Sequence, residues 1–199
     1  MIVLRLFAVL ACLLVASSSF AAPLERISPR QKVYLLRGFT NVLSPGIDQL
    51  AEELRRQNVP NTITNHALYP AVAQEALDDC KSGRVSSIVL VGHSFGASAA
   101  IAIAEKLQQE RVRVALIVTF DPVIKSAVPA NVRHLQNFYL SNGAGRPVDQ
   151  GERFRGQIKN VDLKSNADVG HISITTYPAV HKQVLRDILA AHTPCSGSR

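Results

Sequence analysis

Gly92-His93-Ser94-Phe95-Gly96 places a serine between two glycines, where the apolar run "VSSIVLV" ends and the alanine-rich run "ASAAIAIAEKL" begins. The spacing is G-x-S-x-G. A serine on a tight strand-to-helix turn has its hydroxyl lifted clear of a sheet edge, and the glycines let neighbouring backbones approach without Cβ clashes. Ala97, Ser98, Ala99 and Ala100 are small enough for the following helix to start close to the strand. The chemistry this suits is nucleophilic attack on a carbonyl. A Gly-rich turn carrying an idle serine would show the same five letters, so the reading needs partners for Ser94.

A serine nucleophile needs a base, and the base needs an orienting acid. Of the histidines after Ser94, His134 falls in a predicted strand, and His181 and His192 fall in or after the last predicted helix, where packed or solvated histidines are usual. His171, in "SNADVGHISITTYP", falls in a loop between the last predicted strand and the last helix, and is the expected base. His93 is the variable residue of the turn and is expected to support rather than react. Asp121 ends the apolar run "VALIVTF" and is the first candidate for the acid, with Asp149, Asp162 and Asp168 as rivals. A turn-capping carboxylate is the structural alternative for Asp121.

The elements that must position these residues alternate along the chain. Predicted strands are "KVYLLRGF" (32–39), "NTITNHALY" (61–69), "VSSIVLVG" (85–92), "VRVALIVTF" (112–120), "VRHLQNFYL" (132–140) and "QIKNVDLK" (157–164). Between and after them lie helical stretches. "SPGIDQLAEELRRQN" has Ser44 and Pro45 as a start signal, and "AVAQEALDDCKSG" closes at Gly83. "ASAAIAIAEKLQQE" follows the serine, and "PAVHKQVLRDILAAH" is last. Continuous apolar strands alternating with helices predict a mostly parallel central sheet covered on both faces, a three-layer α/β/α sandwich. Loops after parallel strands reach one common sheet edge, which is how Ser94, Asp121 and His171 would meet. Residues 143–157 form the longest polar loop, and no repeat or linker divides the chain.

Composition bounds the rest. With 199 residues, 47% of them apolar, the chain has room for one domain with a sizeable core. The formal net charge of +7 comes from scattered lysines and arginines with no dense basic run, so no nucleic-acid partner is expected. Residues 1–21 carry one early cation (Arg5), an apolar stretch too short to span a bilayer, and small residues at Ser19 and Ala21. They read as a signal peptide cleaved after Ala21. A lipidated Cys12 is the alternative. The single domain is then 22–199, exported to a periplasmic or extracellular space, with no transmembrane segment. Cys80 and Cys195 remain as an even pair, either bridged or free. No cysteine–histidine spacing suits zinc, and neither metal nor other cofactor is expected.

The motifs "LLRGF", "VGHSFGAS", "VTFDP" and "GHISIT", in that order, make the chain resemble the α/β-hydrolase superfamily, as a minimal member without a lid domain. The resemblance implies Ser94 as nucleophile and His171 as base. In many members the acid follows a later strand, which here reads "FYLSNGAGRP" and has no carboxylate directly after it. Some thioesterase-like members carry it one strand earlier, at the place of Asp121. The resemblance also implies an oxyanion hole built from the amide of Phe95 and from one in "RGFT", Phe39 or Thr40. Many relatives have His-Gly where this chain has Arg37-Gly38. The expected activity is hydrolysis of a carboxylic ester, with thioester next, on a small or lipid-like substrate, by a monomer with an open site. A non-catalytic binding protein on the same scaffold is the reading from another class.

Overall fold

The computed structural model describes residues 30–39 and 44–196. The expected signal peptide, with Cys12, and the oxyanion candidate Thr40 lie outside the described residues.

The described elements run, in chain order, β1 (Gln31–Arg37), α1 (Pro45–Arg56), β2 (Asn61–Asn65), α2 (Tyr69–Lys81), β3 (Ser87–His93), α3 (Phe95–Gln109), β4 (Val114–Phe120), β5 (Ala127–Val128), β6 (Val132–Tyr139), β7 (Asp149–Gln150), β8 (Gln157–Asp162) and α4 (Pro178–Ala190). Six strands form one sheet in the order β2-β1-β3-β4-β6-β8, and every pairing is parallel. All seven residues of β3 and of β4 are buried, which is why both read as unbroken apolar runs rather than as alternation.

Successive side chains on each strand feed opposite layers. Tyr34, Leu36, Ile88 and Leu90 pack with Val72, Ala76, Ile103 and Leu107 of α2 and α3. Val33, Leu35, Val89 and Val91 pack with Ile47, Leu50, Val184 and Ile188 of α1 and α4. The result is the expected three-layer sandwich.

Strand order fixes where a site can be. The chain moves from β1 out to β2, then back across β1 to β3. The loops leaving β1 and β3 therefore turn to opposite faces, one toward α1 and the other toward α3. That divergence opens a crevice at the carboxyl ends of these two neighbouring strands.

Three local outcomes differ from the sequence expectations. The second strand stops at Asn65 instead of running to Tyr69. The Asn65 side chain accepts from the Ala67 N–H and caps a 3-10 turn at His66–Leu68, after which a proline in the first turn starts α2 at Tyr69. The long polar loop contains β7, which pairs in parallel with β5, so residues 127–128 and 149–150 fasten two loops together. Ser44 sits at the start of α1 but makes no capping bond; Thr175 Oγ1 accepts from the Gly46 N–H at 3.3 Å instead.

At the opposite edge of the sheet, Cys80 at the end of α2 is disulfide-bonded to Cys195, 115 residues later. Cys195 also bridges backbones: its N–H donates to Ser86 and its carbonyl accepts from Arg113. A covalent loop of that length removes much conformational freedom from the unfolded chain. Cys195→Ser is expected to lower the free energy of unfolding in urea by about 2–5 kcal/mol, with the wild-type midpoint moving the same way on reduction.

Candidate active site

Ser94 stands at the mouth of the crevice in a conformation few non-glycine residues adopt, φ +57° and ψ −120°. Three close backbone approaches hold it there. A Cβ on Gly92 would lie 2.1 Å from the Gly96 carbonyl oxygen, and one on Gly96 would lie 2.2 Å from that of Leu36. One on Gly38 would lie 3.1 Å from Ser94 Cβ. The first turn of α3 thus presses on both β1 and β3, and the loop after β1 lies over the serine. The Ser94 N–H donates to the Phe120 carbonyl at 2.9 Å, continuing the sheet ladder to the turn itself.

Asp121 begins the turn after β4, also at positive φ (+46°), and only 1% of it is exposed. Its two carboxylate oxygens have separate partners. Oδ1 accepts from the Leu140 N–H at 2.8 Å, and Oδ2 lies 2.6 Å from His171 Nδ1. The carboxylate is therefore both a turn cap and a partner of the histidine. Gly145 packs so closely on Oδ1 that a Cβ there would lie 1.9 Å away. The rivals bond elsewhere. Asp149 pairs with Lys125, and Asp162 accepts from Ser141 and from the Lys164 N–H. The Ser141 hydroxyl, with the other donors, holds the Asp162 carboxyl below its ordinary range against the opposing effect of desolvation. Neither they nor Asp168 bond to His171. Of the other histidines, His181 is buried between Glu53 and the Thr175 carbonyl, while His134 and His192 line a cleft elsewhere.

Gly38, Phe39, His93, Ser94, Phe95, Val123 and His171 line a pocket of about 330 Å³. Ser94 and His171 share it, with no hydrogen bond between them among the described residues; such contacts often tighten only when substrate is bound. With Nδ1 on Asp121, Nε2 is the nitrogen left to serve the pocket.

His93 points away from solvent into a polar chain. Its Nε2 lies 2.8 Å from the His171 carbonyl oxygen, which can only accept, so Nε2 carries the proton. Nδ1 then accepts from the Ser44 hydroxyl at 2.8 Å, and Ser44 Oγ accepts from the Gly38 N–H at 3.2 Å. One neutral histidine thus ties the loop after β1 to the loop carrying His171. Burial, more than the neighbouring His171, lowers the His93 pKa to about 4.

The Gly38 carbonyl is held as well. His66 Nδ1 donates to it at 2.9 Å and Asn65 Nδ2 at 3.2 Å, both from the end of β2. The peptides are trans, so the next N–H, that of Phe39, points away from that carbonyl and from the Asn65 and His66 side chains that hold it. Phe95 opens α3, and the first N–H groups of a helix have no helical acceptor. The Phe39 and Phe95 rings, 6.1 Å apart, flank the serine. Sequence reading missed Ser44, Asn65 and His66.

No family model matches the chain, and comparison with curated proteins found no match. Solved structures do match. A cutinase-like protein from Cryptococcus sp. superimposes with a TM-score of 0.52 at 14% identity, over 83% of this chain and 97% of that one. The chain has the α/β-hydrolase fold. A protein described as a hydrolase of the alpha/beta superfamily, from Xanthomonas campestris pv. campestris, matches at TM-score 0.45 and 15% identity, over 78% of this chain and 98% of that one. An extracellular alpha/beta-hydrolase from a Paenibacillus species matches at 0.30 and 22%, over 46% and 40%.

In this α/β-hydrolase fold, larger clefts of about 560 and 710 Å³ lie at the amino ends of the strands, and neither is lined by a serine or cysteine. Size alone would choose the end of the sheet opposite Ser94.

The low pKa of His93 has a measurable consequence. The unfolded chain binds a proton on this residue below pH about 6.5, whereas the folded one resists until about 4. The contribution to stability is full above pH 6.5 and lost as pH falls toward 4, a change of about 3 kcal/mol. Urea unfolding across that range is expected to show a shallower pH slope for His93→Gln than for the wild type.

Proposed function

We propose that this protein is a serine hydrolase that cleaves a carboxylic ester through an acyl-Ser94 intermediate. The observation that carries the reading is the Asp121–His171 bond, which joins residues 50 apart in sequence at the pocket that holds a strained Ser94. A turn cap alone would not require Oδ2 to face a histidine.

The steps follow from the atoms. Ser94 Oγ attacks the ester carbonyl carbon as His171 Nε2 takes its proton. Asp121, bound to Nδ1, fixes the tautomer and stabilises the imidazolium that forms. Negative charge on the carbonyl oxygen falls to the N–H groups of Phe39 and Phe95, each such donor being worth about 3 kcal/mol in the transition state. His171 then protonates the departing alkoxide. Water, deprotonated by the same nitrogen, attacks the acyl group and releases Ser94 and the acid.

The Gly38 N–H is spent on Ser44 and its carbonyl on Asn65 and His66, which leaves the Phe39 N–H as the described loop's donor. Asn65 and His66 are positioning residues in this scheme, since they act through the Gly38–Phe39 peptide. The pocket is open, which favours small esters or esters presented at a surface. The Cys80–Cys195 bridge is compatible with export to an oxidising compartment, and no helix among the described residues is long and apolar enough to cross a membrane.

A fluorophosphonate probe is expected to label the wild type and not Ser94→Ala; a folded wild type that takes no label returns the protein to the binding class. Asp121→Asn should lower turnover of a soluble ester by about four orders of magnitude, while Asp149→Asn and Asp162→Asn stay near wild type. His66→Phe keeps a ring against Phe95 but removes the N–H to Gly38. It should lower kcat roughly tenfold to a hundredfold with little change in KM.

A further inference from the structure

Five large apolar side chains stand exposed among the described residues, between 38% and 74% accessible: Phe39, Leu68, Phe95, Ile124 and Ile172. They come from five separate segments of the chain, and each either lines the Ser94 pocket or lies within two residues of a side chain that lines it or stacks on its lining. Phe39 and Phe95 line the Ser94 pocket, Ile124 follows the lining residue Val123, and Ile172 follows His171. Leu68 closes the 3-10 turn whose first residue, His66, stacks on Phe95 with ring centroids 5.5 Å apart. Exposed apolar residues scattered singly are ordinary; a contiguous set around one opening marks a surface that meets something apolar.

The rim also decides what that partner is. Two of its members, Phe39 and Phe95, line the pocket of the nucleophile, so a protein seated on them would shut the site. A substrate that reaches Ser94 must lie across the rim. The pocket, about 330 Å³ and open, has room for the ester group and part of an acyl chain, and whatever extends beyond it lies against the aromatic and aliphatic edge. None of the five residues is charged.

We propose that this ring is an interfacial docking surface, and that the preferred substrate is an ester aggregated in droplets or micelles, whose acyl chains contact the rim while one carbonyl enters the pocket. The proposal rests on the hydrolase reading and names the physical state of its substrate.

Tributyrin tests it, because one compound can be offered dissolved or, above its solubility limit, as an emulsion. The rate for the wild type should rise roughly tenfold or more beyond the value extrapolated from dissolved substrate once droplets form. The double variant Leu68→Asp/Ile124→Asp, which leaves the pocket lining intact, should keep the fluorophosphonate labelling of the wild type and show no rise over its own rate on dissolved tributyrin. In a separate measurement, Ser94→Ala should float with the droplets on centrifugation, and the same protein carrying Leu68→Asp/Ile124→Asp should not. Hydrolysis of dissolved ester with no rise at saturation overturns the interfacial proposal, as does a double variant that keeps the rise. Absence of both hydrolysis and fluorophosphonate labelling overturns the hydrolase reading instead. In that case droplet flotation of Ser94→Ala still decides whether the rim binds an apolar surface. A rim occupied by a second copy of the chain would appear as a dimer in sedimentation that dissociates in Leu68→Asp/Ile124→Asp, and would overturn the proposal.

Discussion

Everything at the carboxyl edge of the sheet depends on three backbones brought together more tightly than side chains allow. The end of β1, the end of β3 and the first turn of α3 meet at Gly38, Gly92 and Gly96, where an added Cβ would strike backbone or the Ser94 side chain. This contact turns Ser94 to a positive φ, sets the Phe95 N–H beside it at the start of a helix, and draws the loop after β1 over the hydroxyl. Strain of this kind persists only where the surroundings over-determine the conformation. Here the surroundings are the fully buried strands β3 and β4 and two apolar layers on either face.

Around that contact, polar groups are shared without waste. His93 spans from Ser44 to the carbonyl of His171, and Ser44 in turn takes the Gly38 N–H. The two faces of the crevice are therefore joined beneath the pocket by a chain of hydrogen bonds that works only while His93 is neutral. Asp121 plays the corresponding part on the far side, bonding the loop after β6 with one oxygen and His171 with the other. Each group with a proposed chemical part is thus held by an element other than its own.

The residues legible in sequence are those whose local pattern carries their meaning. Ser94 sits in a five-residue motif between a strand and a helix, Asp121 stands where a strand ends, and His171 lies in the loop after the last strand, so parallel topology brings them to one edge. Asn65, His66 and Ser44 carry no such mark. Their significance comes from strand order, since β2 lies beside β1 although α1 intervenes, and adjacency of that kind has no short-range signature. Ser44 misled for a definite reason: Ser-Pro before an amphipathic run is a sound helix start, and the structure keeps that start but directs the hydroxyl to His93 while Thr175 serves as the cap. The paired strands β5 and β7 have two residues each, too few for any periodicity.

The disulfide has a temporal side. Cys195 follows every described strand and helix, so its bond to Cys80 can close only after all of them have been synthesised. Until then the fold must find its topology without covalent help, and Cys80 must wait as a thiol. Once closed, the bond acts on later excursions from the native state, when the cross-linked chain has fewer conformations to search before it refolds. The bridge is a latch on longevity, fastened late.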